Sequence, residues 1–353
     1  MLSPNANVIK ILTLLVFSSA TAVFWTPLLT KFLYKHRLWR KKARENSIDG
    51  KPLEIFTKFH KEKEVGTPRL GGLLIWVTVL FTAFFFLSLS EIFDGPILGK
   101  LNFLSRDQTW LPLGVLVAAS LLGLADDVFQ IFGKGKYTAG GIRFTRRLFA
   151  VIVIGLVAAF WFYFKLDWHA IHIPGAGDYE IGIWYIPLFL VVVLGSWAGG
   201  AIDGLDGLAG GAMAIMFGAF TIIAYSETQY NLAAFCAVIA GTTLAFLWFN
   251  VPPARFYMGE TGMMGLTATL AVVAFLTDSV LVLPIIAGLL VIEAGSVVIQ
   301  LASKRFFHRK VFLAAPIHHH FQALGWPSEK IVMRAWILGM IFAIIGVTIR
   351  LLG

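Results

Sequence analysis

WLPLGVLVAASLLGLADD, residues 110–127, decides the fold class. From Trp110 to Ala125 the stretch is apolar or small, and it ends on two adjacent carboxylates, Asp126 and Asp127. An α-helix needs about 20 such residues to cross a hydrocarbon layer of about 30 Å. Charge at the end of a membrane helix is costly and marks a functional site. Lys134, Lys136, Arg143, Arg146 and Arg147 follow within one short loop. Acid backed by base suits a hard cation together with a phosphate.

The rest of the chain repeats the pattern. Of its 353 residues, 58% are hydrophobic and 14% charged, where a soluble domain carries about 25% charged residues. The runs are continuously apolar rather than alternating, which predicts helices and not a barrel. Ten spans are expected, at 8–30, 70–90, 110–131, 147–165, 182–201, 206–226, 231–250, 261–278, 281–302 and 332–352. The first lacks a small-residue cleavage site and exceeds a signal-peptide core, so it reads as a retained helix. No linker or fixed-period repeat divides the chain. The expectation is an all-α polytopic membrane protein with one integral domain over residues 1–353. Cys236 stands alone in an apolar run, so it forms no internal disulfide and no metal cluster.

The basic residues are not spread evenly. Loops 31–69, 131–147, 250–260 and 303–331 hold 23 of the 29 lysines and arginines. By the positive-inside rule these loops face the cytoplasm, and ten spans then put both termini outside. The net charge of +9 is therefore assigned to inner-face loops and anionic lipid rather than to nucleic acid.

Every polar, motif-like stretch falls on that same face. Asp126 and Asp127, about 100° apart on a helix, are expected to hold different roles. In IDGLDGLAGG, residues 202–211, Asp203 and Asp206 share a face, and the glycines let a ligand or backbone approach. FNVPPARFYMGETG, residues 249–262, offers Asn250 at a helix exit, Glu260 as an oxygen ligand between two glycines, and Tyr257 as a base-stacking ring or an interfacial anchor. PIHHHF, residues 316–321, carries His318, His319 and His320. Consecutive histidines diverge, so a metal site from this run alone is not expected; phosphate contacts and proton transfer are. GTPRLGG, residues 66–72, is a turn able to present backbone N–H groups to phosphate, but it lacks the ending of a P-loop.

Together these stretches resemble the polyprenyl-phosphate N-acetylhexosamine-1-phosphate transferases, from about Gly66 to Trp326. APIHHHFQALGWP, residues 314–327, matches the branch that uses a muramoyl donor. The resemblance implies transfer of phospho-N-acetylmuramoyl-pentapeptide from its UDP carrier to undecaprenyl phosphate, with Mg²⁺, at the cytoplasmic face of a bacterial inner membrane. It implies catalytic roles for Asp126, Asp127, Glu260 and His318, and metal contacts for Asp127, Asp203 and Glu260. Substrate contacts are implied for Lys63, Asp203, Asp206, Asn250, Tyr257, His319 and His320. A homodimer is left open. Four positions depart from the family pattern: Glu260 stands for Asp, Gly200 for Asn, Glu64 for Lys (with Lys63 adjacent), and Arg69 for Thr. The alternatives are another UDP-N-acetylhexosamine donor, a non-catalytic relative that binds lipid phosphate, and a transporter. A transporter would place its polar groups near the midplane.

Overall fold

The structure is a computed structural model that describes residues 4–41, 65–93, 98–106, 108–133 and 141–353. The described chain is helical almost throughout. In order come α1 (Pro4–Lys35), α2 (Leu73–Ile92), the short α3 (Leu98–Leu101), α4 (Trp110–Ile131) and α5 (Phe144–Phe160). A hairpin of β1 (Ala170–Ile173) and β2 (Gly177–Glu180) follows, antiparallel with His172 opposite Asp178. Then come α6 (Tyr185–Ala198), α7 (Leu208–Ser226), α8 (Tyr230–Asn250), α9 (Gly259–Leu276), α10 (Leu283–Ile286), α11 (Gly288–Phe306), α12 (Ile317–Ala323) and α13 (Ser328–Leu352).

Among the described residues, nine helices are long and apolar enough to cross a membrane. They correspond to nine of the ten expected spans. The tenth, expected at 281–302, is not one continuous helix. It breaks at Ala287 into α10 and α11. Pro284 lies at the start of α10, a position that stops any helix arriving from before it. Glu293 and Gln300 are buried inside α11, and Lys304 and Arg305 close it.

α9 is the hub. Nearly all of its residues are buried, and it packs along α4. Small residues let the two backbones approach, which is how membrane helices associate when lipid is as apolar as their side chains. Gly265 of α9 faces Ser120 of α4, and Gly123 of α4 faces the Glu260 carbonyl.

Contacts at the helix ends define two opposite faces. Lys10, near the start of α1, donates to the Asn102 carbonyl and to Asn231 Oδ1, both at 2.8 Å. Arg350, near the end of α13, pairs with Glu227 at 3.0 Å, and Gly175 of the hairpin donates to the Gly353 carbonyl. Asn231 and Glu227 flank the α7–α8 turn, so both termini lie on one face. Asp126, Asp127, Asn250 and Glu260 lie at the opposite ends of their helices, and Asp203 lies in the turn between α6 and α7 on that same side. The broken tenth segment still returns the chain to that second face, where α12 sits.

Candidate active site

The N-terminus of α9 gathers two of the carboxylates. Asp127, in the last turns of α4, accepts the Thr261 N–H through Oδ2 at 2.9 Å. Asp203, in the turn between α6 and α7, accepts the Gly259 N–H at 3.2 Å. The unpaired N–H groups and positive dipole end of an 18-residue helix favour both. Gly259 has φ +72°, and a Cβ there would lie 2.4 Å from Asp127 Oδ2. Only glycine lets the backbone come this close. Burial pushes the Asp203 carboxyl up to about 6, against the pull of Arg69.

Asp126 turns the other way, as the 100° step along the helix requires. It accepts from Gln130 Nε2 at 2.7 Å, from the Ile142 N–H at 2.5 Å and from Arg147 at 2.9 Å. Gln130 in turn accepts from Arg40. The same Arg147 nitrogen lies 3.1 Å from Glu260 Oε1. One guanidinium therefore bridges two carboxylates from different helices.

Arg69 is the second cation of the cluster. Its Nε stands 3.4 Å from Asp127 Oδ1. The GTPRLGG turn holds it there by zipping onto the 252–258 loop. Tyr257 N–H donates to the Pro68 carbonyl, Gly71 N–H to the Tyr257 carbonyl and Gly72 N–H to the Met258 carbonyl, each at 2.8 Å. Tyr257 is thus anchored through its backbone beside the cluster, half-buried.

The remaining expected site residues divide. His318 is buried, with Nδ1 2.8 Å from Glu293 Oε2, and Nε2 packs against Gly204, beside Asp203. His319 points back to Gln322 at 2.8 Å, and His320 accepts the Leu313 N–H at 3.2 Å. The three rings diverge as expected, and only His318 packs against the turn that carries Asp203. Asp206 accepts the Ala254 N–H at 3.4 Å. Asn250 both accepts and donates at the helix exit. Its buried amide accepts the Gly207 N–H and donates to the Phe256 carbonyl, both at 2.9 Å. Each of its ends is bonded to backbone, so it fastens two site loops together. Lys63 lies outside the described residues.

Three contributors were not among the expected site residues: Arg69, named only as a departure from the family pattern, Arg147, named only among the loop cations, and Glu293. Glu293 carried a signal, being an ionisable residue within an apolar run.

The donor chemistry suits a hard cation, since Asp127, Asp203 and Glu260 offer only oxygen. Among the described residues, however, no three acidic, histidine or cysteine side chains converge closely enough to hold a metal as they stand. The guanidinium of Arg147 stands between Asp126 and Glu260, and Arg69 lies against Asp127.

Residues 109–278, from α4 to the end of α9, match glycosyl transferase family 4. The phospho-N-acetylmuramoyl-pentapeptide-transferase of Geobacillus thermodenitrificans is 35% identical over 297 residues, covering 83% of this chain and 86% of the relative. That of Chloroflexus aurantiacus is 34% identical over 329 residues, 89% of this chain and 85% of the relative. The chain belongs to the phospho-N-acetylmuramoyl-pentapeptide-transferase family. The same-named protein of Lactiplantibacillus plantarum is 34% identical, with 82% of this chain and 86% of the relative covered. The matches span 85–86% of the length of these three relatives, and the family model covers Asp126, Asp127, Arg147, Asp203, Asp206, Asn250, Tyr257 and Glu260.

Proposed function

We propose that this protein transfers phospho-N-acetylmuramoyl-pentapeptide from its UDP carrier to undecaprenyl phosphate, forming the first lipid intermediate of peptidoglycan synthesis. One observation carries the reading: carboxylates from α4, the 203–206 turn and α9 converge with two guanidiniums at one end of a membrane bundle. That arrangement serves two anionic substrates, one soluble and one lipid, meeting at the membrane surface.

A lipid-phosphate oxygen attacks the β-phosphorus of the donor, the Pβ–O bond to the α-phosphate breaks, and UMP leaves. Asp126, held by Gln130, Ile142 and Arg147, orients or deprotonates the attacking phosphate. Asp127, Asp203 and Glu260 would hold Mg²⁺, which when bound neutralises charge on the transferring phosphoryl group. His318, oriented by Glu293, places its Nε2 beside Asp203 for a phosphate or substrate contact. Asp206, Tyr257, His319 and His320 frame the nucleotide and the donor sugar. The site face is the cytoplasmic face of a bacterial inner membrane, and both termini are periplasmic.

Purified protein with Mg²⁺ and UDP-N-acetylmuramoyl-pentapeptide is expected to release UMP only when undecaprenyl phosphate is added. A panel of UDP-N-acetylhexosamines in the same assay identifies the donor. No UMP from any of them overturns the reading.

Glu260 is part of this design rather than a defect in it. The extra methylene reaches Arg147 at 3.1 Å. Glu260→Asp retracts the carboxylate by about 1.5 Å, one carbon–carbon bond. Turnover is therefore expected to fall about tenfold, ~1.4 kcal/mol, because the carboxylate is withdrawn from the place where it would ligate the cation. A rise in kcat on this substitution would show that the site is not adapted to glutamate.

A further inference from the structure

Two arginines hold the carboxylates together in the described state. Arg147 bridges Asp126 at 2.9 Å and Glu260 at 3.1 Å. Arg69 faces Asp127 at 3.4 Å. Four acidic groups packed this closely repel one another unless positive charge is supplied. The arginines supply it from where a divalent cation would have to bind. Both are mostly buried, with side chains 16% and 12% exposed, and both lie against carboxylates. Guanidinium groups also recognise phosphate oxygens bidentately, as they do carboxylates. Each arginine thus has two possible partners of similar chemistry, one belonging to the protein and one to a substrate.

We propose that Arg69 and Arg147 are the phosphate-binding residues of this site, resting on its carboxylates until a phosphoryl group draws them away and frees those carboxylates for a divalent cation. The inference rests on the transferase reading above and adds an order to it: phosphate and metal bind each other's vacated partners. Linkage makes the effect reciprocal, so a phosphoryl ligand tightens metal binding by the factor that metal tightens phosphoryl binding. The geometry favours Arg147 for one phosphate and Arg69 for another. Arg147 sits on Asp126, where the acceptor is oriented, and Arg69 lies between Asp127 and the turn that zips onto the 252–258 loop.

The test uses the full-length protein in detergent, with Mn²⁺ as the spectroscopic probe. Bound Mn²⁺ is counted by electron paramagnetic resonance, alone, with UMP, and with undecaprenyl phosphate. Binding of each phosphate is measured separately without metal. Arg69→Gln and Arg147→Gln are each expected to tighten Mn²⁺ binding about tenfold in the absence of phosphate, since a ~1.4 kcal/mol repulsion at the site is removed. Each variant is also expected to weaken one phosphate about tenfold and to lose most of the coupling to it, by the same scale. If Arg147→Gln affects undecaprenyl phosphate and Arg69→Gln affects UMP, the two phosphates are assigned; the reverse pattern assigns them the other way. Arg147→Lys and Arg69→Lys keep the charge and are expected to retain the weak metal binding of the parent, which separates a charge effect from misfolding. Tighter Mn²⁺ with unchanged binding of both phosphates would overturn the proposal, leaving the arginines as structural counter-ions. No Mn²⁺ binding to the parent under any condition would overturn the metal reading itself. Mn²⁺ binding to the parent with no coupling would overturn this inference alone.

Discussion

Asp127→Asn is expected to lower the rate of UMP release by about 10³-fold, the scale of removing one preorganised electrostatic group from an active site. The side chain is fully buried, and each of its oxygens has work: one accepts from Thr261 N–H and the other faces Arg69. Asparagine has the same shape, but one of its ends is a donor. Whichever way the amide turns, that end meets either an N–H or a guanidinium. The lost charge also leaves Arg69 with less to hold it and removes an oxygen ligand from the proposed cation site. Asp206→Asn provides the comparison. Asp206 is half-buried and holds one N–H at 3.4 Å, so the expected loss is about tenfold. Initial rates of UMP release, with size-exclusion profiles to confirm folding, distinguish the two. An Asp127→Asn enzyme within tenfold of the parent would remove this residue from the reaction.

The architecture was legible because hydrophobic length is a direct readout of the membrane. The expected span 110–131 coincides with α4, and the alternation of basic loops placed both termini on one face, where the contacts of Lys10 and Arg350 also place them. The break at Ala287 was not legible. Residues 281–302 are apolar enough overall to read as one span, and the break falls beside Pro284, a single residue inside that apolar run. Glu293 was visible as an ionisable residue in that run, but its partner His318 was not, because such pairing is a property of tertiary contacts.

The acidic members of the cluster were visible as costly charges in apolar surroundings. Their partners were not. Arg147 read as one of several loop cations, and Arg69 as part of a turn. Sequence shows that a charge is present but not which charge it meets. Asn250 illustrates the converse. Its place at a helix exit shows that it can donate and accept, whereas only the fold shows that its partners are the Gly207 N–H and the Phe256 carbonyl. Buried polar groups are nearly always satisfied by whatever lies nearest, and here that was backbone.

Gly123→Ala is expected to damage both stability and catalysis, although Gly123 touches no substrate in the proposed reaction. A Cβ at this position would lie 2.1 Å from the Glu260 carbonyl oxygen and 2.7 Å from the Thr261 nitrogen. Both atoms belong to backbone, so no side chain can rotate aside. α4 and α9 must separate instead, and inserting a carbon into a packed seam costs about 1–3 kcal/mol. Gly114→Ala on the same helix is the control, because nothing lies within 4 Å of its added carbon. There the exchange is expected to be neutral or to stabilise by up to about 1 kcal/mol, the usual gain of alanine over glycine in a helix. Thermal unfolding in detergent compares the two. The catalytic effect follows from position. The 2.9 Å bond from Thr261 to Asp127 crosses the same seam, so moving the helices apart moves Asp127 off the α9 N-terminus. A misplacement of about 1 Å costs on the order of 10²-fold in rate. Molecules that stay folded should therefore still be slow, and a Gly123→Ala enzyme with unchanged kcat would mean that the α4–α9 spacing does not set the geometry of the carboxylates.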